Sequence, residues 1–316
     1  MTDPRSTPAW TEWQAARSGE RMHHGWILAG QRGLFKRAFA HAAARDLVGM
    51  TGEGDHPDIL LLDHPPKDDK EARKKADGKP YDRARNIKVD QIRAMQRRLT
   101  TRPTLGDNRA IIIDPADDME AGASNALLKT LEEPPVGTTI ILIAHRPARL
   151  LPTIRSRCRI LRFAPMEEGA IRAAVAEKLP ETDAELRDAA VNAASGSPGM
   201  AMAYIKHDLR KIDQFLRRIA QEGDRDFSLR GALSAAMGGR PDRERQRVLF
   251  DLARSILTDK MADTPRDDLA KLADAHADLV ELAAQAPIYN FDANFLVMEI
   301  GSLLASVASN RSSANV

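Results

Sequence analysis

Five short apolar runs punctuate the first half of the chain and limit its fold more than any other feature: Trp26–Ala29, Ile59–Leu62, Ala110–Ile113, Ile140–Ala144 and Ile160–Phe163. Each is of strand length, bounded by Gly, Asp, Pro or polar clusters, and mostly continuous rather than alternating. A strand covered on both faces reads as a continuous apolar run, which is the habit of parallel sheets. Helical periodicity fills the gaps over Leu34 to Val48, Val89 to Leu99 and Ser124 to Glu133, the last stopped by Pro134 and Pro135. Strands alternating with helices predict an α/β domain over residues 1–165.

After Pro165 no strand-length run survives, and Ala, Leu and Arg dominate. Helices are expected over Glu167 to Lys178, Asp183 to Ala194 and Gly199 to Ile205, with a break at Ser195-Gly196-Ser197-Pro198. Five more are expected over Lys206 to Glu222, Ser228 to Ala236, Arg243 to Met261, Arg266 to Ala286 and Asp292 to Ser306. This reads as a small helical domain over 166–205 and a larger one over 206–316, ending in a polar, frayed tail from Ser309. Residues 64–86 fit neither pattern. Two prolines open the stretch, Pro80 lies near its end, and nine bases (counting through Lys88) mix with five acids and hardly an apolar side chain. It is expected to be a mobile, solvated insert, the other reading being a basic arm that touches nucleic acid.

Composition removes several classes of function. Lys and Arg total 47 against 45 Asp and Glu, a formal net charge of +2, which argues against a nucleic-acid binder carried by bulk charge. Only 14 Phe, Trp and Tyr serve both cores and function, too few for a stacking platform on single strands. The lone Cys158 excludes a disulfide framework or a cysteine-rich metal site within one chain. No window approaches ~20 uninterrupted apolar residues, and the first 21 residues lack the apolar core of a secretory signal. A cytoplasmic protein without membrane partners is expected.

The first apolar run ends in Gly30-Gln31-Arg32-Gly33-Leu34-Phe35-Lys36-Arg37 and leads into a helix, where a phosphate-binding loop belongs. Against G-x-x-x-x-G-K-[ST], Gly30 and Lys36 are in place, Phe35 replaces the second glycine, and Arg37 replaces the hydroxyl that would hold Mg²⁺. As an isolated motif this is also a plain strand–turn–helix corner. The third run ends at Asp114, a metal-binding position in nucleotide hydrolases, but Pro115 stands where a catalytic Glu would polarise water. The nucleotide site of Gly30, Gly33, Lys36 and Asp114 is therefore expected to be degenerate and not functional, because of Phe35, Arg37 and Pro115.

The specific signal is Asn125-Ala-Leu-Leu-Lys-Thr-Leu-Glu-Glu-Pro-Pro135 together with Pro152-Thr-Ile-Arg-Ser-Arg-Cys158. With Arg21-Met-His-His-Gly-Trp-Ile-Leu28 and Val89-Asp-Gln-Ile-Arg93, these motifs resemble clamp-loader subunits of the AAA+ superfamily, most of all the delta-prime family of bacterial DNA polymerase III. The resemblance covers about residues 20–205 by motif and the remainder by helical character.

It implies an AAA+ P-loop-type parallel-sheet domain, a helical lid over 166–205 and an all-α collar over 206–316. It further implies a non-catalytic subunit that helps load the sliding clamp onto primed DNA, its partners being the gamma/tau ATPase subunits and the delta subunit, within the replisome at the nucleoid. Ser156-Arg157-Cys158 matches the family's SRC motif, whose Arg157 would reach as an arginine finger into a neighbour's ATP site, with Ser156 and Cys158 positioning it. The other reading of Arg157 is a structural ion pair. Gly199 stands near the place of a second sensor arginine, and His145 follows the fourth run where a polar sensor would sit. The zinc module of some relatives is absent, since no Cys precedes His56-Pro57-Asp58, and His23 and His24 lack companions for a metal site. No cofactor is expected on this chain, ATP and Mg²⁺ being bound by neighbours. Two competing readings are an active ATPase motor subunit, opposed by Phe35, Arg37, Pro115 and Gly199, and a non-replicative AAA+ loader in repair.

Overall fold

The computed structural model describes residues 3–19, 22–52, 54–239, 241–266, 269–289 and 291–308. The chain forms two compact units, Met1–Pro165 and Met166–Val316. The first runs α1 (Pro8–Arg17), β1 (Gly25–Ala29), α2 (Lys36–Leu47), β2 (Ile59–Asp63), α3 (Asp69–Ala76), α4 (Val89–Leu99), β3 (Arg109–Asp114), α5 (Ala121–Glu132), β4 (Thr138–Ala144), α6 (Pro152–Arg155) and β5 (Arg159–Arg162). The second is helical throughout its described residues: α7 (Glu168–Lys178), α8 (Ala184–Ala193), α9 (Pro198–Lys206), α10 (Arg210–Glu222), α11 (Ser228–Met237), α12 (Arg243–Ala262), α13 (Leu269–Tyr289) and α14 (Ala293–Ser306). The expected fold class, a parallel-sheet domain followed by an all-helical region, is the one observed.

The five strands are all parallel, in the order β2-β3-β4-β1-β5. The three central strands are buried at every position, as their continuous apolar runs require. Because successive side chains point to opposite faces, each strand splits between two cores. Ile27, Ala29, Ile111, Ile113, Ile140, Leu142 and Ala144 face a layer that includes Ile92, Met95 and Leu127 of α4 and α5. Trp26, Leu28, Ala110, Ile112, Ile141 and Ile143 face Trp10, Trp13 and Phe39 of α1 and α2. The edge strands are less covered: Leu61 of β2 is exposed, and in β5 only Leu161 is buried.

Helix α1 was not legible in the sequence. Thr7 caps it by accepting from the Trp10 amide at 3.3 Å, and Trp13 packs edge-on against Trp26 at 5.0 Å. All three tryptophans thus belong to one aromatic core, which explains how a chain poor in aromatics closes this face of its sheet.

Residues 64–86, expected as a mobile, solvated insert, hold α3. The stretch has hardly an apolar side chain, and the contacts that hold it are polar. Asp68 caps α3 at the Glu71 amide (2.9 Å), and buried Glu71 accepts from Lys74 Nζ and the Asp82 amide, both at 2.7 Å. The Lys67 and Ala84 amides close the base on the Asp82 and Pro65 carbonyls.

A buried ion pair ties the start of β3 to the segment before β2. Asp58 and Arg109 are both nearly sealed from solvent, with Arg109 Nη2 3.0 Å from Asp58 Oδ1. Arg109 also donates to the carbonyls of Arg98, Thr101 and Arg102, and Asp58 accepts from the Thr104 and Leu105 amides. Burial opposes the charge on Asp58, but those two amides and the guanidinium outweigh it and hold the carboxyl below its usual range.

In the second unit one apolar cluster runs from Ile171 to Val307 and crosses residue 205 without a break. The tail from Ser309 lies outside the described residues. A second buried pair sits here, Arg230 Nε to Asp224 Oδ2 at 2.8 Å, with Arg230 also reaching Ser302 Oγ at 2.9 Å. Arg230 passes directly over Gly301, where a Cβ would stand 2.4 Å from Arg230 Cγ.

Breaking a buried pair by removing one partner leaves an uncompensated charge. Arg109→Ala is therefore expected to lower stability by about 3–5 kcal/mol, read from urea or thermal unfolding; a loss within experimental error would show that the pair does not anchor β3.

Candidate functional site

The sequence-derived site residues fall into two groups at opposite ends of the sheet. Gly30 and Lys36 follow β1, and Asp114 closes β3, so both lie at the carboxyl ends of parallel strands, where α/β sheets open a ligand crevice. Arg157 precedes β5, which runs in register with β1 from Trp26↔Arg159 to Ala29↔Arg162. It therefore lies at the amino end, about one strand length, roughly 13–16 Å at 3.3 Å per residue, from the loop after β1.

The loop after β1 is filled by its own side chains. Gly30 approaches the chain after β5 so closely that a Cβ would lie 2.4 Å from the Phe163 carbonyl oxygen. Gly33 and Phe35 both have left-handed backbones, φ 83° and 55°; at Phe35 this is a conformation that glycine would adopt without strain. Lys36, 2% exposed, turns back and donates to the Gly30 and Gln31 carbonyls, both at 2.6 Å. Burial lowers its pKa to about 8, partly offset by Asp117 and Asp114. Arg37 places its guanidinium between two carboxylates, Nη1 3.3 Å from Asp114 and Nη2 3.4 Å from Asp63. Burial pushes the Asp114 carboxyl up, Arg37 and Arg32 pull it back, and neighbouring Asp63 adds to the rise.

Beside Asp114, Asp117 takes the His145 and Arg146 amides at 2.9 and 3.1 Å, which fastens the end of β4 to the turn after β3. His145 thus joins this cluster through its backbone. Gly199 lies in the first turn of α9, in the second unit.

At the other end, Arg157 Nη2 pairs with Glu132 Oε1 at 2.7 Å and Nη1 donates to the Thr153 carbonyl at 3.0 Å. Ser156 Oγ also donates to Thr153, at 3.1 Å. Cys158 is largely buried, and burial raises its thiol pKa to about 12, which leaves it a thiol at neutral pH. Gly25 makes room for this segment: a Cβ there would meet Cys158 Sγ at 3.0 Å and the Arg157 carbonyl oxygen at 3.1 Å. The paired histidines are structural, His24 Nε2 contacting the Leu131 carbonyl at 2.9 Å and His23 Nδ1 the Gly25 carbonyl at 2.8 Å. Arg21, first residue of that motif, lies outside the described residues.

A family profile described as DNA polymerase III, delta subunit, matches residues 6–167, about half of the chain. The chain belongs to this family. It is 33% identical over 198 residues to the DNA polymerase III subunit delta' of Pseudomonas aeruginosa, which covers 57% of this chain and 55% of that one. To subunit delta' of Escherichia coli K12 it is 30% identical over 222 residues, covering 65% and 61%. The gamma/tau subunit of Mycobacterium tuberculosis is 29% identical over 206 residues, 62% of this chain and 33% of that one. The chain thus spans between half and two thirds of the length of these two delta' relatives. Among solved structures, a gamma subunit-related protein of Thermotoga maritima aligns with TM-score 0.48 at 18% identity over 95% and 99% of the two chains. RuvB of the same organism aligns with TM-score 0.45 at 15% identity over 88% and 82%.

In this delta-subunit family member, the sequence motifs single out Arg157 and the loop after β1 as candidates but give no sign of Glu132, Asp63 and Asp117 as their neighbours. Glu132 lies within the quoted helix motif, yet nothing in its spacing says that it meets a residue 25 positions on. Asp63 closes an apolar run, the one available sign of a place at a strand tip, whereas Asp117 lies in the turn after β3 and has no such sign.

The buried lysine makes a pH-dependent prediction. With a folded pKa of about 8 against 10.5 when exposed, the unfolded chain holds the Lys36 proton between those values and the folded chain does not. Stability gained from this residue therefore rises as pH increases from 8 to 10.5. The wild type should gain on Lys36→Met by about 1.4 kcal/mol for each pH step of one across that window, measured by urea unfolding at several pH values; parallel curves would show that Lys36 is not perturbed.

Proposed function

We propose that this chain is a non-catalytic, delta-prime-like subunit of a bacterial clamp loader. In that complex it would help gamma/tau ATPase subunits and the delta subunit to place the sliding clamp on primed DNA in the cytoplasm. One observation carries the non-catalytic part: the Arg37 guanidinium bridges Asp63 and Asp114 where a nucleotide hydrolase would hold Mg²⁺. Lys36, which would contact β- and γ-phosphates, is bound to its own loop instead. To admit Mg·ATP the site would have to break both arrangements and replace an internal cation by an external one.

Arg157 is proposed as an arginine finger acting in trans, with Ser156 and Cys158 setting its place. Its position at the amino end of the sheet supports action on another subunit, since the loop after β1 lies a strand length away. The Glu132 pair is no obstacle, because a half-exposed ion pair is worth only about 0.2–1 kcal/mol. A guanidinium beside a γ-phosphate stabilises the charge that builds there, an effect of roughly 10³–10⁵ in rate. In the same reading, residues 166–205 act as a lid and 206–316 as a collar that joins the oligomer.

Two measurements test this. The isolated chain should show no micromolar binding of Mg·ATP by calorimetry; such binding would return the motor-subunit reading. Arg157→Ala should leave folding and assembly intact while slowing DNA-stimulated ATP hydrolysis by the reconstituted loader, and unchanged hydrolysis would remove the finger assignment.

A further inference from the structure

Residues 64–88 carry nine Lys and Arg against five Asp and Glu, a surplus of +4 in a chain whose total is +2. Along the sequence the interspersed acids offset the bases; in the fold most of those acids are engaged at fixed points. Glu71 is turned inward onto Lys74 and the Asp82 amide, Asp68 caps α3, and Asp77 pairs with Lys79 at 3.2 Å. Asp63 at the tip of β2 takes Arg83 at 2.7 Å. Lys67, Lys70, Arg73 and Lys75 are left exposed, with Asp68, Asp69 and Asp82 as the exposed acids among them that pair with no base among the described residues. Lys67, Lys70 and Arg73 make no ion pair within 4 Å among the described residues, and Lys75 lies over the Tyr81 ring at 5.7 Å.

The chemistry of the surface limits its partner. Protein interfaces are anchored by aromatic and apolar side chains set in pockets, and no large apolar side chain of 64–88 is exposed. What this surface offers is hydrogen-bond donors on positive groups, held by a folded element. Phosphate oxygens need no more than that. The eight residues of α3 span about 12 Å, a length over which one DNA strand carries roughly three phosphates.

We propose that residues 64–88 form a contact surface for the phosphate backbone of DNA, centred on Lys67, Lys70, Arg73 and Lys75. The contact belongs to this chain alone and does not depend on the finger role of Arg157, so either can fail without the other.

The test uses the full-length chain, without nucleotide, and a fluorescent duplex of about 24 base pairs, by anisotropy at about 50–200 mM KCl. Log K should fall against log salt with a slope of about −3 to −4. The triple variant Lys70→Gln/Arg73→Gln/Lys75→Gln, checked for unchanged circular dichroism, should bind at least about ten-fold more weakly at 50 mM and lose about 3 from the slope. Lys178→Gln/Lys211→Gln/Arg225→Gln, which removes the same charge from exposed positions of the second unit, should change neither. The proposal is overturned if the wild type does not bind the duplex at 50 mM. It also fails if the α3 variant binds as well as wild type, or if the control variant loses as much. Polyglutamate bound as tightly as the duplex would assign the surface to an acidic protein instead.

Discussion

Three parallel strands with every side chain under cover on one face or the other set the terms for the first unit. Strands β1, β3 and β4 can be stable only if a helical layer closes each side, because an apolar strand residue left in water forfeits about 1.5–3 kcal/mol. One layer is supplied by α4 and α5. The other needs α1 and α2, and it is there that the three tryptophans and Phe39 are gathered. The loops at the strand tips are then fixed in position whatever their chemistry, so a site can lose its original ligand contacts and keep its shape.

The loop after β1 illustrates this. It approaches the chain after β5 closely at Gly30, and its positive charges are turned onto internal partners. Arg37 occupies the space between two carboxylates, and Lys36 occupies the loop's own carbonyls. A cation covalently part of the chain needs no binding entropy to stay beside those carboxylates.

How far the sequence could be read depended on the range of each interaction. Strand runs and long helices rest on local periodicity, and they were legible to within a few residues. The pair of Asp58 with Arg109 joins positions 51 apart, and nothing local announces it. Helix α1 was missed because its apolar face consists largely of two tryptophans, too few to set up a period. The helix within 64–86 was not legible for the opposite reason: its residues are the right ones for a solvated chain, and the Asp68 cap and the contacts of Glu71 with Lys74 and the Asp82 amide hold it.

By itself the sequence determined the parallel α/β unit and the helical remainder, and it marked the residues of the loop after β1 and Arg157 as candidates. These follow from neighbours in the chain, from the residue types at fixed spacing. Only the tertiary structure decided that Arg37 closes on Asp63 and Asp114, that Arg157 stands at the far end of the sheet beside Glu132, and that Glu71 turns inward onto Lys74 and the Asp82 amide. Each of these depends on which distant residues share a strand tip or helix end, and sheet order, not spacing along the chain, sets that.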